Sequence, residues 1–268
     1  MKTVLTIGGS DSGGGAGIQA DLKTFEAHRV FGLSVVTAVT AQHTGKIFRI
    51  HAVPASVVAA QLKAVFSDFN IAAVKISMLY TRQNLRLVAR CMEKINVPVI
   101  LDPLILSTSG SRLLRKDAWK EIRESLVPHV SLLTPNIYEA GALAGMRIRN
   151  EKDILPAAKK IAAGSPELYV LIKGGHLPET GHRRYCNDYL FHANTFVVFT
   201  SPFIPLRGKR IHGAGCTFAA AITANLAKEY TVPASVRRAK AYITRAIRNA
   251  PEGIGKEARP LYHHIRLS

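Results

Sequence analysis

The sequence predicts an α/β fold in which a mainly parallel central sheet is covered by helices on both faces. Short apolar runs alternate with segments of helical period along the whole chain, which is the pattern of repeated βαβ units. No repeat, low-complexity segment or linker divides the 268 residues, and 47% of them are apolar, enough for one large core. We therefore predict a single domain over residues 1–268.

Strands are predicted where apolar runs of strand length lie between turn residues. In chain order they are Val4–Ile7, Ser34–Ala41, Ala72–Ile76, Val99–Leu101, Leu132–Thr134, Tyr169–Lys173, Asp188–His192 and Thr195–Thr200. The intervening segments predict helices over Gly17–His28, Ala55–Phe66, Arg82–Lys94, Asp117–Leu126, Ile137–Leu143, Asp153–Ala163, Gly213–Glu229 and Ala234–Ala250. Pro54 and Pro233 mark helix starts, because proline is tolerated there but not inside a helix. The stretch after Pro251 is expected to pack on the surface as a tail.

Composition indicates a cytoplasmic protein. Charged or polar residues interrupt every window of membrane-spanning length, and the apolar stretch after Lys2 is too short for a signal peptide. The cysteines, Cys91, Cys186 and Cys216, form no CxxC pair, so neither a disulfide framework nor a structural zinc site is indicated.

The strong positive charge raises the question of a nucleic-acid partner. The formal net charge is +18, a field that attracts polyanions. The basic residues are nevertheless scattered, with a mild concentration between Arg237 and Arg248, and aromatic residues do not interleave them as in a stacking platform. This distribution favours a solvated basic surface that steers anionic substrates, with no specific nucleic-acid site.

A glycine-rich loop follows the first predicted strand. Residues 8–17 read GGSDSGGGAG and lead into a helix, an arrangement that brings backbone N–H groups close to a ligand. The loop lacks the GxxxxGK[ST] pattern of a Walker A motif and matches a dinucleotide fingerprint poorly. By itself it is also compatible with a flexible turn.

A second glycine-rich element, His212 to Phe218 (HGAGCTF), opens a helix of small apolar residues. Gly213 and Gly215 would expose N–H groups at the positive end of that helix, where they can stabilise a phosphoryl group in transfer. Cys216 lies in the first turn, where the helix dipole is expected to lower its pKa and suit it as a base toward a substrate hydroxyl. The alternative is a buried structural cysteine.

Polar residues follow three further predicted strands. They are Asp102-Pro103, Thr134-Pro135-Asn136 with Glu139, and Lys173-Gly174-Gly175-His176. Carboxylates, an amide and a lysine are the groups that hold Mg²⁺ and a triphosphate, and the carboxyl ends of parallel strands meet at one edge of a sheet. Each residue also has an ordinary interpretation as a cap or a solvated surface group.

Taken in order, these motifs resemble the hydroxymethylpyrimidine and phosphomethylpyrimidine kinases of thiamine synthesis, within the ribokinase-like superfamily. The resemblance covers nearly the whole chain, through GGSDSGGGAGIQADLKTF, TAVTAQHT, VKISMLY, LDPLILSTSG, TPNIYEA, IKGGH and HGAGCTFAAAI. It implies a three-layer αβα sandwich, a homodimer, and the use of ATP and Mg²⁺ to phosphorylate a hydroxymethyl group and then the monophosphate. No membrane partner is implied.

The resemblance also implies residue roles. The pyrimidine would contact Gly9, Asp21 and Gln42, between walls formed by Ala16, Thr40, Met78 and Ile105. A carboxylate accepts hydrogen bonds and an amide both donates and accepts, so Asp21 and Gln42 suit an aminopyrimidine. The base position matches Cys216 and the anion hole matches Gly213, Ala214, Gly215 and Cys216. Asp102 and Glu139 would orient Mg²⁺, and Asn136, Lys173 and His176 would bind ATP.

The chain departs from the family pattern at several positions. Ser77 replaces a usual glycine, and Ala214 replaces a common threonine. Segment 201–211, expected to border the adenine pocket, is longer than usual and lacks Asn-Thr before the histidine. Thr40 and Ile105 also differ from the more frequent residues.

Two other functions remain open on these motifs. A pyridoxal kinase of the same superfamily shares the glycine-rich loops and the cysteine, although Gln42 and Met78 favour a pyrimidine. The second alternative is a sensor that binds the pyrimidine without efficient catalysis, and only the altered segment 201–211 favours it.

Overall fold

The structure, a computed structural model, describes residues 1–104, 118–177, 184–206 and 210–265. Its central sheet contains β1 (Thr3–Asp11), β2 (Phe31–Gln42), β3 (Ile47–Ala52), β4 (Ile71–Ile76), β5 (Val99–Leu101), β6 (Leu132–Leu133), β7 (Tyr169–Lys173), β8 (Tyr185–His192) and β9 (Thr195–Pro202). The order across the sheet is β3-β2-β1-β4-β5-β6-β7-β8-β9. The neighbouring strands β2, β1, β4, β5, β6 and β7 run parallel. The pairs β2–β3, β7–β8 and β8–β9, at the two edges of the sheet, are antiparallel. The predicted mainly parallel sheet is confirmed.

Helices cover both faces of this sheet. They are α1 (Gly17–Ala27), α2 (Ala55–Asp68), α3 (Arg82–Met92), α4 (Ala118–Glu121), α5 (Ile137–Ala144), α6 (Ile154–Ala162), α7 (Ala214–Ala227) and α8 (Val232–Arg248). Helices α1, α7 and α8 pack together on one face, whereas α2, α3, α5 and α6 contribute to the core on the other. The result is the expected three-layer αβα sandwich.

Strand residues alternate between the two cores. Leu132 of β6 belongs to the core under α7 and α8, whereas its neighbour Leu133 belongs to the core under α5 and α6. Successive side chains of a strand point to opposite faces, and a strand covered on both faces is therefore apolar at every position. This is why β5 and β6 are apolar throughout, and why β4 and β7 are apolar except at Lys75 and Lys173.

Helix α7 is apolar on all sides because it is buried on all sides. It packs against α1, α8 and the sheet, and every residue from Cys216 to Ala227 is buried. A helix without a polar face needs such a position, and the small alanines allow its neighbours to approach closely. The predicted start at Gly213 is wrong by one residue, since Gly213 is the N-cap.

The sequence analysis missed three strands. Strand β3 is an edge strand in which half of the residues are exposed, and β10 (Arg210–His212) and β11 (Ala258–Pro260) form a separate two-stranded parallel sheet. The expected surface tail is thus partly internal, with Leu261 and His263 both buried. The tail pairs with the strand that leads into α7.

The segment predicted as one helix over Asp117–Leu126 is divided. Asp117 lies outside the described residues, α4 ends at Glu121, and a π-helical turn continues over Ile122–Leu126. A 3₁₀ turn over Val127–His129, with Pro128 near its start, follows directly.

Candidate active site

The two glycine-rich segments lie against each other at the carboxyl edge of the sheet. Gly213, with φ of 84°, is in the left-handed region, and a Cβ on it would lie only 1.7 Å from the carbonyl oxygen of Gly15. Only glycine combines this φ with such a close approach. The loop after β1 and the N-terminus of α7 therefore form one continuous backbone surface.

The buried Asp11 carboxylate binds backbone amides of the first glycine-rich loop and the His212 ring. Its Oδ1 accepts a hydrogen bond from the Gly13 amide (2.8 Å), and its Oδ2 accepts from the amides of Gly15 (3.2 Å) and Ala16 (2.9 Å) and contacts His212 Nε2 (2.9 Å). Burial raises the pKa of Asp11, but the hydrogen bonds from His212, Gly13 and Ala16 outweigh it and hold the pKa below the ordinary value. The carboxylate is therefore ionised.

Residues predicted to contact the pyrimidine line one side of this surface. The sulfur of Met78 lies 3.0 Å from the place a Cβ on Gly9 would occupy, so Met78 covers Gly9. The Thr40 hydroxyl lies within hydrogen-bond distance of two acceptors, the Ser10 carbonyl (2.9 Å) and Gln42 Oε1 (3.2 Å). Gln42 Nε2 lies 3.4 Å from His212 Nε2, which places Gln42 next to the anion hole. Ala16 lies directly beside Gly213.

Asp21 is not available to a ligand, contrary to the expectation. Its side chain and that of Lys75 have no exposed surface, and Lys75 Nζ lies 2.7 Å from both carboxylate oxygens. Thr6 donates a further hydrogen bond to Oδ2 at 2.6 Å. Although burial lowers the pKa of Lys75, the Asp21 carboxylate raises it above the ordinary value overall, so the pair is ionic. Asp21 supports the site from within the core.

The phosphate side of the site combines Asp102, Lys173 and Gly215. Lys173 Nζ donates to Asp102 Oδ1 at 2.6 Å, and Thr134 Oγ1 lies 3.3 Å from the same oxygen. A Cβ on Gly215 would lie 3.4 Å from Lys173 Nζ and 3.9 Å from Asp102 Oδ2, so both reach the start of α7. Polar residues at the carboxyl ends of β5, β6 and β7 thus converge.

Lys173 and Asp102 form an ion pair that balances the charge on the phosphate side of the site. Burial lowers the pKa of Lys173, but Asp102 and Glu139 raise it above the ordinary value, so the ammonium keeps its proton. Asp102 Oδ2 is buried and has no hydrogen-bond partner among the described residues. A buried, unsatisfied carboxylate oxygen is costly, and it marks the place where a cationic or donor group would bind.

Asn136 and Glu139 form a reciprocal cap at the start of α5. The Glu139 amide donates to Asn136 Oδ1 (2.9 Å) and the Asn136 amide donates to Glu139 Oε2 (2.7 Å). This capping box satisfies two N–H groups of the first turn. The capping interpretation of Asn136 is therefore confirmed, whereas Glu139 is buried and not on a solvated face. The backbone of Asn136 also forms an isolated β-bridge with that of Lys173. The start of α5 therefore lies next to the phosphate side of the site.

Cys216 lies in the first turn of α7, but its predicted acidity is wrong. The pKa of the thiol is raised to about 11, chiefly by burial; Lys75 and a hydrogen bond with the Gly17 backbone lower it, whereas Asp21 and Asp102 add to the rise. The expected lowering by the helix dipole is outweighed because the side chain is only 5% exposed. In this state the group is a neutral thiol.

Ile105 and His176 are the remaining residues with a predicted role in the site. Ile105 lies outside the described residues, and only the backbone of His176 is described, in a 3₁₀ turn over Gly174–His176 directly after β7.

Sequence reasoning missed the three residues that organise the site from inside, Asp11, His212 and Lys75. Asp11 is the acidic residue of the first glycine-rich loop, in an Asp-x-Gly pattern typical of a side chain that binds the backbone two residues on. His212 lies directly before the second loop. No local signal identifies Lys75, since a lysine within an apolar strand is informative only when its partner is known.

The structure is a three-layer αβα sandwich with a glycine-rich anion hole at the N-terminus of α7, beside the ion pair of Lys173 and Asp102. This combination is that of a phosphotransferase of the ribokinase-like class. The family model described as phosphomethylpyrimidine kinase matches residues 11–262. The chain therefore belongs to the phosphomethylpyrimidine kinase family.

Individual proteins agree with this assignment. A hydroxymethylpyrimidine/phosphomethylpyrimidine kinase of Haemophilus influenzae is 42% identical over 264 residues, covering 98% of this chain and 97% of that protein. The solved phosphomethylpyrimidine kinase of Clostridium difficile is 37% identical, with a TM-score of 0.79 over 92% of this chain and 100% of that one. An ADP complex of Bacillus subtilis pyridoxal kinase is 34% identical, with a TM-score of 0.86 over 98% and 97% of the two chains. Among the described residues, no helix has the length and apolarity to cross a membrane.

Proposed function

We propose that this protein transfers the γ-phosphoryl group of ATP to the hydroxymethyl group of 4-amino-5-hydroxymethyl-2-methylpyrimidine, and then phosphorylates the monophosphate, as a step in thiamine biosynthesis. The observation that carries the proposal is the junction at Gly213. On one side of it lie Gln42, Met78 and Gly9, and on the other lie Lys173 and Asp102. An acceptor pocket and a phosphate site thus meet at one anion hole.

The chemistry needs positioning more than covalent help. The substrate oxygen attacks the γ-phosphorus, the bond from that phosphorus to the β,γ-bridging oxygen breaks, and ADP leaves. The amides of Gly213, Ala214, Gly215 and Cys216 and the Lys173 ammonium stabilise the equatorial oxygens. The hydroxyl proton passes to the Cys216 sulfur, which must first be a thiolate. Asn136 and His176 would bind the nucleotide.

The acidic residues of the site could hold Mg²⁺ together with the phosphates of ATP. No cluster in the described residues offers the three or more acidic, histidine or cysteine ligands of an all-protein metal site. Mg²⁺ is usually held by one or two carboxylates together with phosphates and water. Asp102, whose Oδ2 has no partner among the described residues, would hold the ion, and Glu139, one oxygen of which caps α5, is the second carboxylate that the resemblance implies. When bound, Mg²⁺ neutralises charge on the β- and γ-phosphates.

The decisive experiment is a direct phosphoryl-transfer assay with MgATP and three acceptors: the hydroxymethylpyrimidine, its monophosphate and pyridoxal. We expect transfer to both pyrimidines. Gln42→Ala should weaken pyrimidine binding by about 3- to 10-fold, the usual value of one hydrogen bond, and leave ATP binding unchanged. If neither pyrimidine is phosphorylated, the proposed function is wrong. If Gln42→Ala weakens pyrimidine and ATP binding equally, Gln42 is not part of the acceptor pocket.

Pyridoxal phosphorylation is the second candidate function. The observation that favours it is the similarity, over nearly the whole chain, to a structure named as a pyridoxal kinase. A ratio of kcat/KM that favours pyridoxal over the pyrimidine would decide for it. Tight pyrimidine binding without transfer to any acceptor would instead favour a sensor.

The protein is proposed to act as a cytoplasmic homodimer. The family resemblance supports the dimer, and Val39 of β2 and Phe48 of the edge strand β3 are apolar residues with 47% and 63% exposure. Light scattering on the purified protein measures the mass directly. A monomer at micromolar concentration would contradict this part of the proposal.

A further inference from the structure

Asp11 and His212 join two segments of the site that are far apart in sequence. The Asp11 side chain is 3% exposed, so the amides of Gly13, Gly15 and Ala16 and the His212 ring replace water around it. A carboxylate only accepts hydrogen bonds, so His212 Nε2 must carry the proton in this contact. One side chain thus holds the loop after β1 and the residue before the anion hole.

The His212 ring determines where α7 begins. A Cβ on Gly15 would lie 2.5 Å from the ring carbon Cδ2, so the ring fills the space between the two segments. The next residue, Gly213, accepts a hydrogen bond from the Thr217 amide as the N-cap of α7. A shift of the ring would therefore move the N–H groups of the first turn, which have no acceptor within the helix.

The same ring lies next to the acceptor pocket. Gln42 Nε2 is 3.4 Å from His212 Nε2, yet the Nε2 proton is directed to Asp11, so the Gln42 amide is not locked by the ring. The pyrimidine side and the phosphate side of the site meet at His212.

We propose that Asp11 and His212 are positioning residues that set the anion hole of residues 213–216 relative to the bound acceptor. The proposal rests on the kinase function given above. It adds that these two side chains act on the alignment of the hydroxyl with the phosphoryl group, and not on acceptor affinity.

The test uses substitutions at His212 with a matched control. His212→Met keeps the volume but removes the donor to Asp11, whereas His212→Gln keeps an N–H group at a similar reach. His28 is the control, because it is also buried and bonded, to the Thr24 carbonyl at 2.8 Å, and its ring packs edge-on against Tyr242 of α8. His28→Met measures the loss that follows from removing a buried imidazole alone.

We expect His212→Met to lower kcat by about 10²-fold, the effect of a misplacement of roughly 1 Å in a reacting group, with the pyrimidine Kd unchanged. His212→Gln should recover most of the turnover. Asp11→Asn should resemble His212→Met, because its NH₂ group would face the amide donors of the loop. His28→Met should lower the melting temperature without lowering kcat of the folded enzyme.

Hydrogen exchange at the amides of residues 213–216 gives a readout that is independent of activity. Exchange should be faster in His212→Met but not in His212→Gln or His28→Met. Wild-type turnover in His212→Met, an equal loss of acceptor affinity and kcat, or unchanged exchange would overturn the proposal. If the wild-type protein itself transfers no phosphoryl group, the kinase function fails, and the exchange experiment still decides the positioning role.

Discussion

The basicity of Cys216 can be tested by the dependence of turnover on pH. Burial raises the pKa of this thiol to about 11, about four units above neutral pH. Each unit corresponds to about 1.4 kcal/mol, so forming the thiolate at pH 7 costs about 5.5 kcal/mol. General-base catalysis contributes about 10²- to 10⁴-fold, or about 3–5 kcal/mol. The two terms nearly cancel at neutral pH.

The structure therefore predicts that kcat/KM of the wild-type enzyme rises about tenfold per pH unit from pH 7 to pH 10, because the thiolate fraction rises by that factor below its pKa. Cys216→Ala should show a flat profile, with a deficit that grows with pH and reaches about 10² near pH 9. Direct quantification of the phosphorylated product by chromatography avoids coupling enzymes that have their own pH dependence. Circular dichroism at each pH confirms that the protein is folded.

A flat wild-type profile, together with slow turnover in Cys216→Ala at every pH, would refute the thiolate-base argument. Cys216 would then act through its position in the first turn of α7. The difference in ultraviolet absorbance between the wild type and Cys216→Ala, followed as the pH rises, measures thiolate formation and gives the pKa of Cys216 without reference to catalysis.

Three further predictions concern charge in the buried layer. Lys173→Met should lower kcat by about 10²–10³, as loss of one group that stabilises transition-state charge does, and a steady-state assay at saturating ATP measures it; an unchanged kcat would contradict the role. Lys75→Met should lower the free energy of unfolding by about 3–5 kcal/mol by leaving Asp21 unpaired, and the added change Asp21→Asn should restore part of it; urea titration of both variants decides. Burial lowers the pKa values of His28 and His263 to about 4. The unfolded chain takes up these protons first, so stability is full above about pH 6.5 and lost toward pH 4, by up to about 3 kcal/mol per histidine; replacing each in turn by Gln should flatten this part of the stability–pH curve.

The central strands were predictable because both faces are covered. Strand β7 is predicted with its observed bounds, Tyr169–Lys173, since an apolar run between turn residues needs no information about its partner. Strand β3 is half exposed at an edge, and β10 and β11 have three residues each and are stable only through their pairing. No local pattern identifies such strands.

The site was predictable in its backbone and not in its buried charges. Gly213 and Gly15 carry a signal in their own identity, because a close approach needs glycine. The availability of Asp21 in α1 and the pKa of Cys216 depend on burial and on Lys75, which lies in strand β4. Both expectations used local chemistry where tertiary packing decides.

The pairing of β10 with β11 sets the order in which the enzyme can mature during translation. His212 is opposite Pro260 in this small sheet, and His263 Nε2 lies 3.1 Å from Thr217 Oγ1 in the first turn of α7. Synthesis runs toward the C-terminus, and domains complete their packing only as their last contacting residues become available. A nascent chain that has already folded its central sheet therefore has an incomplete phosphate site until residues 258–263 leave the ribosome. Arrested chains of graded length would acquire activity at that point and not when α7 itself emerges.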